Sequence, residues 1–245
     1  MSQLAEIRPM VGRMERRAVL LQHPLFGTLG PQIIDRLLTN AIIKKVKRGT
    51  TIFAKGDPGS CLFGVCAGAV KICVPSAFGR DAIFSILRRG EILGEIALLD
   101  GRERTADAIA LTDCELLVIE RRNFVPLILA HPEVGLKIME VLCARLRRTS
   151  EQVQDVTFLN LPTRLAKALL RLTADAEREA PSSRKVTITQ REISQIIGRS
   201  RESTNKQLRI WAKHGWVRLE RGAVTVLRRD KFVDIAESDS ELDPS

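Results

Sequence analysis

A chain of 245 residues exceeds the length of about 100–200 residues that is usual for one domain, so we expect two domains. Its hydrophobic fraction of 44% allows a buried core, and no apolar run reaches the roughly 18–20 residues that cross a bilayer. With no signal peptide at its start either, the chain is expected in the cytoplasm and away from membranes. The net charge of +10 favours a polyanionic partner, and the basic residues are concentrated in residues 162–231.

The cysteines and histidines give no sign of a metal site or of an enzyme. The number of cysteines is odd and they form no CxxC pair, which argues against a disulfide framework and against zinc; they are Cys61, Cys66, Cys73, Cys114 and Cys143. We expect them to be small buried side chains. No histidine lies beside a candidate nucleophile, so catalysis is not expected.

The N-terminal half changes from helical to β-rich character. Residues 1–22 predict a helix or an arm, and Pro24–Leu38 predicts a short amphipathic helix. Short apolar runs separated by glycines then predict an antiparallel sandwich or barrel, and therefore an α+β chain. The predicted strands are Ala41–Val46, Thr51–Phe53, Leu62–Ala67, Ala69–Val74, Ala82–Leu87, Thr105–Ala110 and Cys114–Ile119.

The segment 94–106 carries the strongest ligand signal. Gly94 permits a close backbone approach, and the apolar run that follows Glu95 predicts one short buried helical turn. Helix-start N–H groups near Arg104 and Thr105 would form an anion site, most simply for phosphate. Glu95 beside a phosphate needs a neutral donor such as a ribose hydroxyl. A 3′,5′-cyclic nucleotide fits this set better than ATP or a dinucleotide, the alternative being a solvated loop with an incidental Glu–Arg pair.

Gly94-Glu95-x-Ala97-Leu98-Leu99 followed by Arg104-Thr105-Ala106 resembles the phosphate-binding cassette of the Crp/Fnr family of bacterial transcription regulators. The resemblance implies that residues 1–131 form a double-stranded β-helix, or jelly roll, that binds a cyclic nucleotide. It also implies that Glu95 takes the ribose 2′-hydroxyl, that Arg104 pairs with the cyclic phosphate and that Thr105 adds a hydroxyl contact. Gly94, Ile96 and Ala97 complete the implied ligand-binding set.

Residues Glu133–Leu159 contain no proline and no glycine after Gly135, so they predict one long helix. Its seam, with residues spaced alternately three and four apart, consists of Met139, Leu142, Leu146, Thr149, Val153 and Val156. Such a stripe packs against a partner helix, most simply the same helix of a second subunit. We therefore expect residues 132–160 to be a dimerisation helix and the protein to be a homodimer.

Thr149 places a hydroxyl on this apolar seam, with Ser150 beside it. On physical grounds alone, Thr149 could fix the register or oligomeric state of the paired helices, or its hydroxyl could bond to the backbone of its own helix. The family resemblance implies instead that Thr149 contacts adenine in its own subunit and that Ser150 does so from across the dimer. Cyclic AMP is therefore the expected allosteric ligand. Cyclic GMP stays open because the cassette reads ribose and phosphate, not the base.

Residues 161–233 predict a winged helix-turn-helix domain. Pro162 is expected to break the long helix, and Thr163 to cap the next one, Arg164–Ala176. After a short strand at Val186–Ile188, the pattern comprises a capping box at 189–192, a turn at Gly198-Arg199 and a helix opened by Ser200. Strands Trp216–Leu219 and Val224–Leu227 predict the wing, and the acidic residues 234–245 predict a disordered tail.

The stretch 189–208 also resembles the DNA reader of this family, which implies base contacts by Arg201, Glu202 and Lys206. Arg suits the edge of guanine and Glu accepts from cytosine, whereas Lys206 replaces the usual Arg and predicts a modified half-site. The alternative is an exposed, salt-bridged helix face, since Glu202 and Lys206 are four residues apart. The remaining implied DNA contacts are Thr189, Gln190, Ser200 and Ser203. The implied partners are a palindromic operator in double-stranded DNA, a second subunit and RNA polymerase.

The sequence is compatible with three modes of activation: by cyclic AMP, by cyclic GMP, or constitutively without a ligand. Retention of Glu95, Arg104, Thr149 and Ser150 together argues against a decayed pocket. A redox or iron–sulfur sensor would need a cysteine cluster ahead of the roll, and none precedes Cys61.

Overall fold

The computed structural model describes residues 17–18, 21, 27, 29–39, 41–75, 81–179 and 184–238. The chain divides into two compact units, one of residues 1–75 with 84–146 and the other of residues 76–83 with 147–245. The predicted N-terminal arm and the start of the predicted helix 24–38 lie mostly outside the described residues.

The first unit is an antiparallel jelly roll that follows a short helix, α1 (Pro31–Thr39). One sheet has the order β1-β8-β3-β6 and the other the order β2-β7-β4-β5. The strands are β1 (Ile42–Val46), β2 (Thr51–Phe53), β3 (Cys61–Ala67), β4 (Val70–Val74), β5 (Ala82–Leu87), β6 (Ile92–Leu93), β7 (Asp107–Ala110) and β8 (Cys114–Glu120). The predicted sandwich is therefore confirmed: the ends of the seven predicted strands agree to within two residues, and β6 was not predicted.

Two apolar clusters form the core of this unit, one on each side of the sheet that contains β8. Side chains of a strand alternate between its faces. Leu116 accordingly packs inside the roll with Val65, whereas Leu117 packs outside it with Ile34 of α1. Phe124 joins the outer cluster from helix α3 (Arg121–Ala130), so the helices cover a face that would otherwise be exposed.

The predicted helical turn of the cassette is present as α2 (Glu95–Asp100), between β6 and β7. Glycines with positive φ bound it at both ends, Gly94 at +82° and Gly101 at +73°. The Gly101 N–H donates to the Ala97 carbonyl at 3.0 Å, which closes the helix. Arg121 Nε donates to the Leu98 carbonyl at 2.7 Å, and so satisfies another carbonyl at this end.

The predicted long helix is confirmed as α4 (Pro132–Phe158). Proline suits its first position because that backbone N–H would have no intrahelical partner. The side chains of the predicted seam are mostly open to solvent in the single chain, the exposed ones being Met139, Leu146, Thr149, Val153 and Val156. Leu142 instead packs partly against the outer cluster of the roll.

The cysteine expectation holds for three positions and is wrong for the others. Cys66, Cys73 and Cys114 are buried, Cys61 is half-buried and Cys143 is exposed. Cys143 lies on a side of α4 that none of the described residues covers.

In the second unit, α5 (Leu161–Glu179) begins earlier than predicted, because Asn160 and not Thr163 caps it. Asn160 Oδ1 accepts a hydrogen bond from the Thr163 N–H at 3.1 Å, as an N-cap side chain does. Pro162 lies in the first turn of α5, where proline is tolerated, and the long helix ends four residues before it at Phe158, so the predicted break is present. Thr163 is buried in this turn.

Buried polar contacts join α5 to the end of α4 and to the helix that follows. Arg164 donates to the Leu159 carbonyl at 3.0 Å and to the Ile197 carbonyl at 3.2 Å. Buried Asp155 of α4 accepts from Lys167 at 3.2 Å and from Arg171 at 2.8 Å. These contacts fix the direction in which the chain leaves the long helix.

The rest of the second unit is a winged helix-turn-helix, as predicted. Its helices are α6 (Gln190–Ile197) and α7 (Arg201–Lys213), and its sheet has the order β10-β11-β9, with β9 (Lys185–Val186), β10 (Val217–Glu220) and β11 (Ala223–Val226). A final helix, α8 (Arg229–Ser238), includes residues 234–238 of the predicted disordered tail, so that part of the prediction is wrong. Residues 239–245 lie outside the described residues.

Packing explains the final helix. Phe232 of α8 is fully buried and meets Trp211 of α7 edge-on, with ring centroids 4.8 Å apart. It also meets Trp216 at 6.4 Å. The burial of Phe232 stabilises this helix, although a short, charged segment would have little tendency to form a helix in isolation.

Candidate functional site

The cassette of the first unit is built around Gly94. A Cβ at this position would stand 2.5 Å from Arg104 Nη1 and 3.2 Å from the Cys61 carbonyl oxygen. Its φ of +82° also disfavours any residue with a side chain. Glycine is therefore required here by both the backbone and the approach of Arg104.

Arg104 is only 4% exposed, yet part of its hydrogen-bonding capacity is unused. Nη1 donates to the Gly94 carbonyl at 2.8 Å and Nη2 to the Cys61 carbonyl at 2.7 Å. The guanidinium carbon lies 4.3 Å from the ring centroid of Phe53. Among the described residues, buried Nε has no hydrogen-bond partner. Since a guanidinium has five N–H donors, this side chain can still bind an anion.

Glu95 faces a partner that the sequence did not reveal. Its carboxylate, with the side chain 4% exposed, accepts a hydrogen bond from Arg145 Nη1. Arg145 lies on α4, and its Nη2 donates to the Ile92 carbonyl. Fifty residues separate the two partners, so spacing could not predict the pair. The one available signal is that Arg145 lies one helical turn before Thr149.

The other predicted ligand residues divide into exposed and buried ones. Thr105 and Ile96 are exposed beside buried Arg104 and Glu95, and Ala97 is buried. Thr149 and Ser150 are exposed on α4, in the part of the helix that belongs to the second unit. The structure thus brings Gly94, Glu95, Arg104 and Arg145 together, and places Thr149 further along the helix that carries Arg145.

This cluster suits a ligand that combines one negative charge with a hydroxyl. The start of α2 leaves backbone N–H groups without intrahelical partners, and Arg104 Nε is a further unused donor. Glu95 is an acceptor whose charge is compensated by Arg145. A phosphate can use the donors while a hydroxyl donates to the carboxylate. Within the described ranges, no group of three or more His, Cys, Asp or Glu side chains could hold a metal ion.

A second candidate site is the helix-turn-helix, whose first helix opens with the predicted capping box. Thr189 Oγ1 accepts from the Glu192 N–H at 3.2 Å and donates to Glu192 Oε2 at 2.8 Å. The Thr189 N–H also donates to Glu192 Oε2 at 2.8 Å. The hydroxyl of Thr189 is therefore engaged in the cap, and Gln190 is the half-buried first residue of α6.

The second helix of the motif, α7, buries one face and exposes the other. Ser200 accepts from the Ser203 N–H at 3.1 Å and donates to Ser203 Oγ at 2.8 Å, so both predicted hydroxyls serve the helix start. The inner face consists of Thr204, Leu208 and Trp211.

Arg201, Glu202 and Lys206 lie on the open face of α7. Within the part of the chain that the structure describes, no ion pair joins Glu202 to Lys206. Arg209 and Lys213 extend the positive charge along the same face, and the sequence analysis missed both. Exposed cations at helical spacing are the signal that could have found them.

No helix among the described residues is both long enough and apolar enough to span a bilayer. A basic helix face beside a β-hairpin wing is suited to contact the phosphates and base edges of DNA.

Comparisons with known proteins match the two parts of the chain that carry these candidate sites. Residues 43–131 match the cyclic nucleotide-binding domain family, and residues 163–235 match the Crp-like helix-turn-helix domain family. Over 210 residues the chain is 33% identical to a CRP-like cAMP-activated global transcriptional regulator of Mycobacterium tuberculosis, with 85% of this chain and 94% of that protein covered.

Two further comparisons point the same way. The chain is 32% identical to the cyclic AMP receptor protein of Thermus thermophilus, over 87% of this chain and 96% of that protein. A solved structure of a CRP/FNR-family transcriptional regulator from the same organism has a TM-score of 0.68 at 25% identity, covering 81% of this chain and 100% of that one.

Proposed function

We propose, from the premise that this chain belongs to the Crp/Fnr family of DNA-binding transcription regulators, that cyclic AMP is the ligand that switches it. The observation that carries the proposal is the cluster of Gly94, Glu95, Arg104 and Arg145. Relatives at 33% and 32% identity are named for activation by, or as receptors of, cyclic AMP.

The phosphate would be held by Arg104 and the start of α2. Arg104 is kept in place by two backbone carbonyls and by the ring of Phe53, so little side-chain entropy remains to be lost on binding. Its free Nε–H and the hydroxyl of exposed Thr105 are the donors available to phosphate oxygens. Because the guanidinium is buried, its attraction to an anion is weakly screened.

The ribose would be held by Glu95. A carboxylate next to a phosphate is repelled by it, and Arg145 removes most of that repulsion. Since Arg145 is part of α4, a ligand hydroxyl that competes for Glu95 changes a contact between the cassette and the long helix. Ligand binding in the roll is therefore coupled to the position of α4.

The base would be held where two subunits meet. The exposed apolar seam of α4 needs a partner helix, and a homodimer about a two-fold axis supplies one. Thr149 and Ser150 lie beside this seam, and a hydroxyl can both donate to and accept from the edge of adenine. A ligand held by the roll and by both helices would favour one arrangement of the dimer.

The output of the switch would be operator binding. Two copies of α7, related by the two-fold axis, would enter successive major grooves of a palindromic site. Arg201 would pair with guanine and Glu202 would accept from cytosine, with Lys206 as a third contact. The regulator would act in the cytoplasm and would contact RNA polymerase at the promoters it controls.

Calorimetric titration followed by gel shift tests this proposal. Full-length protein is titrated with cyclic AMP, with cyclic GMP and with 5′-AMP, which has the base but no cyclic phosphate. A palindromic operator is then shifted with and without each nucleotide. We expect cyclic AMP to bind and to tighten operator binding. An equal response to cyclic GMP would show that the base is not read, and equal operator affinity without any nucleotide would establish a constitutive regulator.

Variants assign the phosphate contact. Arg104→Ala removes a charged donor worth about 1.5–3 kcal/mol, which corresponds to cyclic AMP binding weaker by about 10- to 150-fold. Arg102→Ala is the matched control, because Arg102 is an exposed arginine of the same loop. Equal affinities of the two variants would contradict the role of Arg104.

A further inference from the structure

We infer that Asn205 reads adenine in the operator half-site and is a specificity-determining residue of this regulator. The inference rests on the proposed DNA-binding function and names a base contact beyond Arg201, Glu202 and Lys206. It follows from where Asn205 lies on α7 and from an unsatisfied atom of its side chain.

Asn205 lies on the open face of the recognition helix. Arg201, Asn205 and Arg209 follow one another at intervals of four residues, so they line one stripe of α7. The same stripe forms a shallow groove together with Glu202 and Lys206. A helix that enters the major groove with Arg201 and Glu202 towards the bases brings Asn205 to the bases as well.

The side chain of Asn205 is not satisfied within the protein. Its Oδ1 is buried and has no hydrogen-bond partner among the described residues. Most buried polar atoms in folded proteins have such a partner, and leaving one without it costs about 1–3 kcal/mol. Asparagine is also a weak helix former at an interior position. The packing of this turn is supplied by Thr204 and Leu208, so stability does not explain the residue.

The chemistry of a carboxamide selects one base. Its NH₂ group can donate to N7 of adenine while its carbonyl accepts from the N6 amino group, a pairing that no other base offers in the major groove. A phosphate contact would use only the NH₂ group and would leave Oδ1 unsatisfied. Turning the side chain toward adenine satisfies both ends, which makes adenine the favoured partner.

The position of this adenine follows from helix geometry. Four residues advance about 6 Å along a helix, and base pairs are spaced about 3.4 Å apart along the DNA axis. The adenine is therefore expected within about two base pairs of the guanine that Arg201 reads.

The test is selection of operators from DNA randomised at both half-sites. Full-length protein with saturating cyclic AMP is used, and the selected sequences are then compared in competition binding. We expect an adenine at one position of the wild-type half-site, favoured over the other bases by about 5- to 150-fold, the range for one bidentate pair. Asn205→Ala should lose this preference while keeping the others.

A second variant is expected to gain a preference for a different base, and not only to lose the preference for adenine. Asn205→Asp keeps the size of the side chain but has only acceptors, so the preference at this position should change from adenine to cytosine. Lys213→Ala is the control for loss of charge on the same face, and should weaken binding by a similar factor on all sequences.

The outcomes separate this inference from the proposed function. Unchanged base preference in Asn205→Ala would overturn the inference, as would weakening that is uniform over all sequences, which indicates a phosphate contact. A wild-type site without adenine near the guanine would also overturn it, while leaving the DNA-binding function intact. If the wild-type protein selects no sequence at all, the proposed function fails and the inference fails with it.

Discussion

Replacing Gly94 by alanine tests whether the cassette is organised around the approach of Arg104 to the backbone. The new Cβ would stand 2.5 Å from Arg104 Nη1, closer than a carbon and a nitrogen can approach. Arg104 would have to move, and its 2.8 Å hydrogen bond to the Gly94 carbonyl would be lost.

The decrease in the free energy of unfolding expected for Gly94→Ala has two contributions. An L residue in the left-handed region costs about 1–2 kcal/mol. Loss of a hydrogen bond from a charged donor adds about 1.5–3 kcal/mol. Gly49 provides the matched control because it has the same φ of +82° and a Cβ there would meet nothing within 4 Å. Gly49→Ala should therefore cost only the first contribution, and Gly94→Ala both.

Urea unfolding of the two variants, followed by circular dichroism, measures this difference in the free energy of unfolding. Calorimetric titration with cyclic AMP then shows whether the displaced guanidinium still binds. We expect Gly94→Ala to be less stable than Gly49→Ala by about 1.5–3 kcal/mol and to bind the nucleotide at least 10-fold more weakly. Equal stability and equal affinity of the two variants would refute the reasoning.

Three further predictions concern other parts of the chain. Burial raises the pKa of the Cys66 thiol from 9.0 to about 11, so the fraction present as thiolate at neutral pH is lower by about 100-fold. A thiol reagent should therefore label exposed Cys143 quickly and should label Cys66 only after denaturant is added. Mass spectrometry of digests measures the labelling of each cysteine. Asn160→Ala removes the cap of α5 and should lower the free energy of unfolding by about 0.5–2 kcal/mol, measured in urea; no change would mean that this cap is not needed. The hydrogen bond from Lys185 lowers the pKa of Glu220 below 4.5. The contribution of this pair to the stability of the fold is therefore present above pH 4.5 and is lost as the pH falls through the lowered pKa. Glu220→Gln should be less stable than wild type near neutral pH and equally stable in acid, measured as melting temperature against pH.

The helices, strands and helix caps were predicted well because each depends on residues that lie close together in the sequence. Short apolar runs separated by glycines predicted the strands of the roll, and the lack of proline and of glycine after Gly135 predicted the long helix, observed as α4 from Pro132 to Phe158. The capping box at Thr189 and the Ser200 cap were predicted because their partners lie three residues away.

Two of the failures involve contacts between residues distant in sequence. Arg145 lies fifty residues from Glu95, so only the folded chain shows that they pair. Helix α8 extends into residues with acidic side chains because Phe232 packs beneath Trp211, and this burial outweighs the charge pattern that predicted disorder. The cap of α5 is a different case, because Asn160 accepts its hydrogen bond from the Thr163 N–H only three residues away, so this correction concerns a local contact.

The packing of Phe232 against two indole rings has a practical consequence for following the switch. Trp211 and Trp216 are the only tryptophans of the chain, which has no tyrosine, and both lie in the unit that carries the helix-turn-helix. Intrinsic fluorescence excited at the red edge of the indole band therefore reports on the DNA-binding unit alone. A change of this emission on addition of cyclic AMP would therefore indicate that the DNA-binding unit has responded, and it could be observed without a dye.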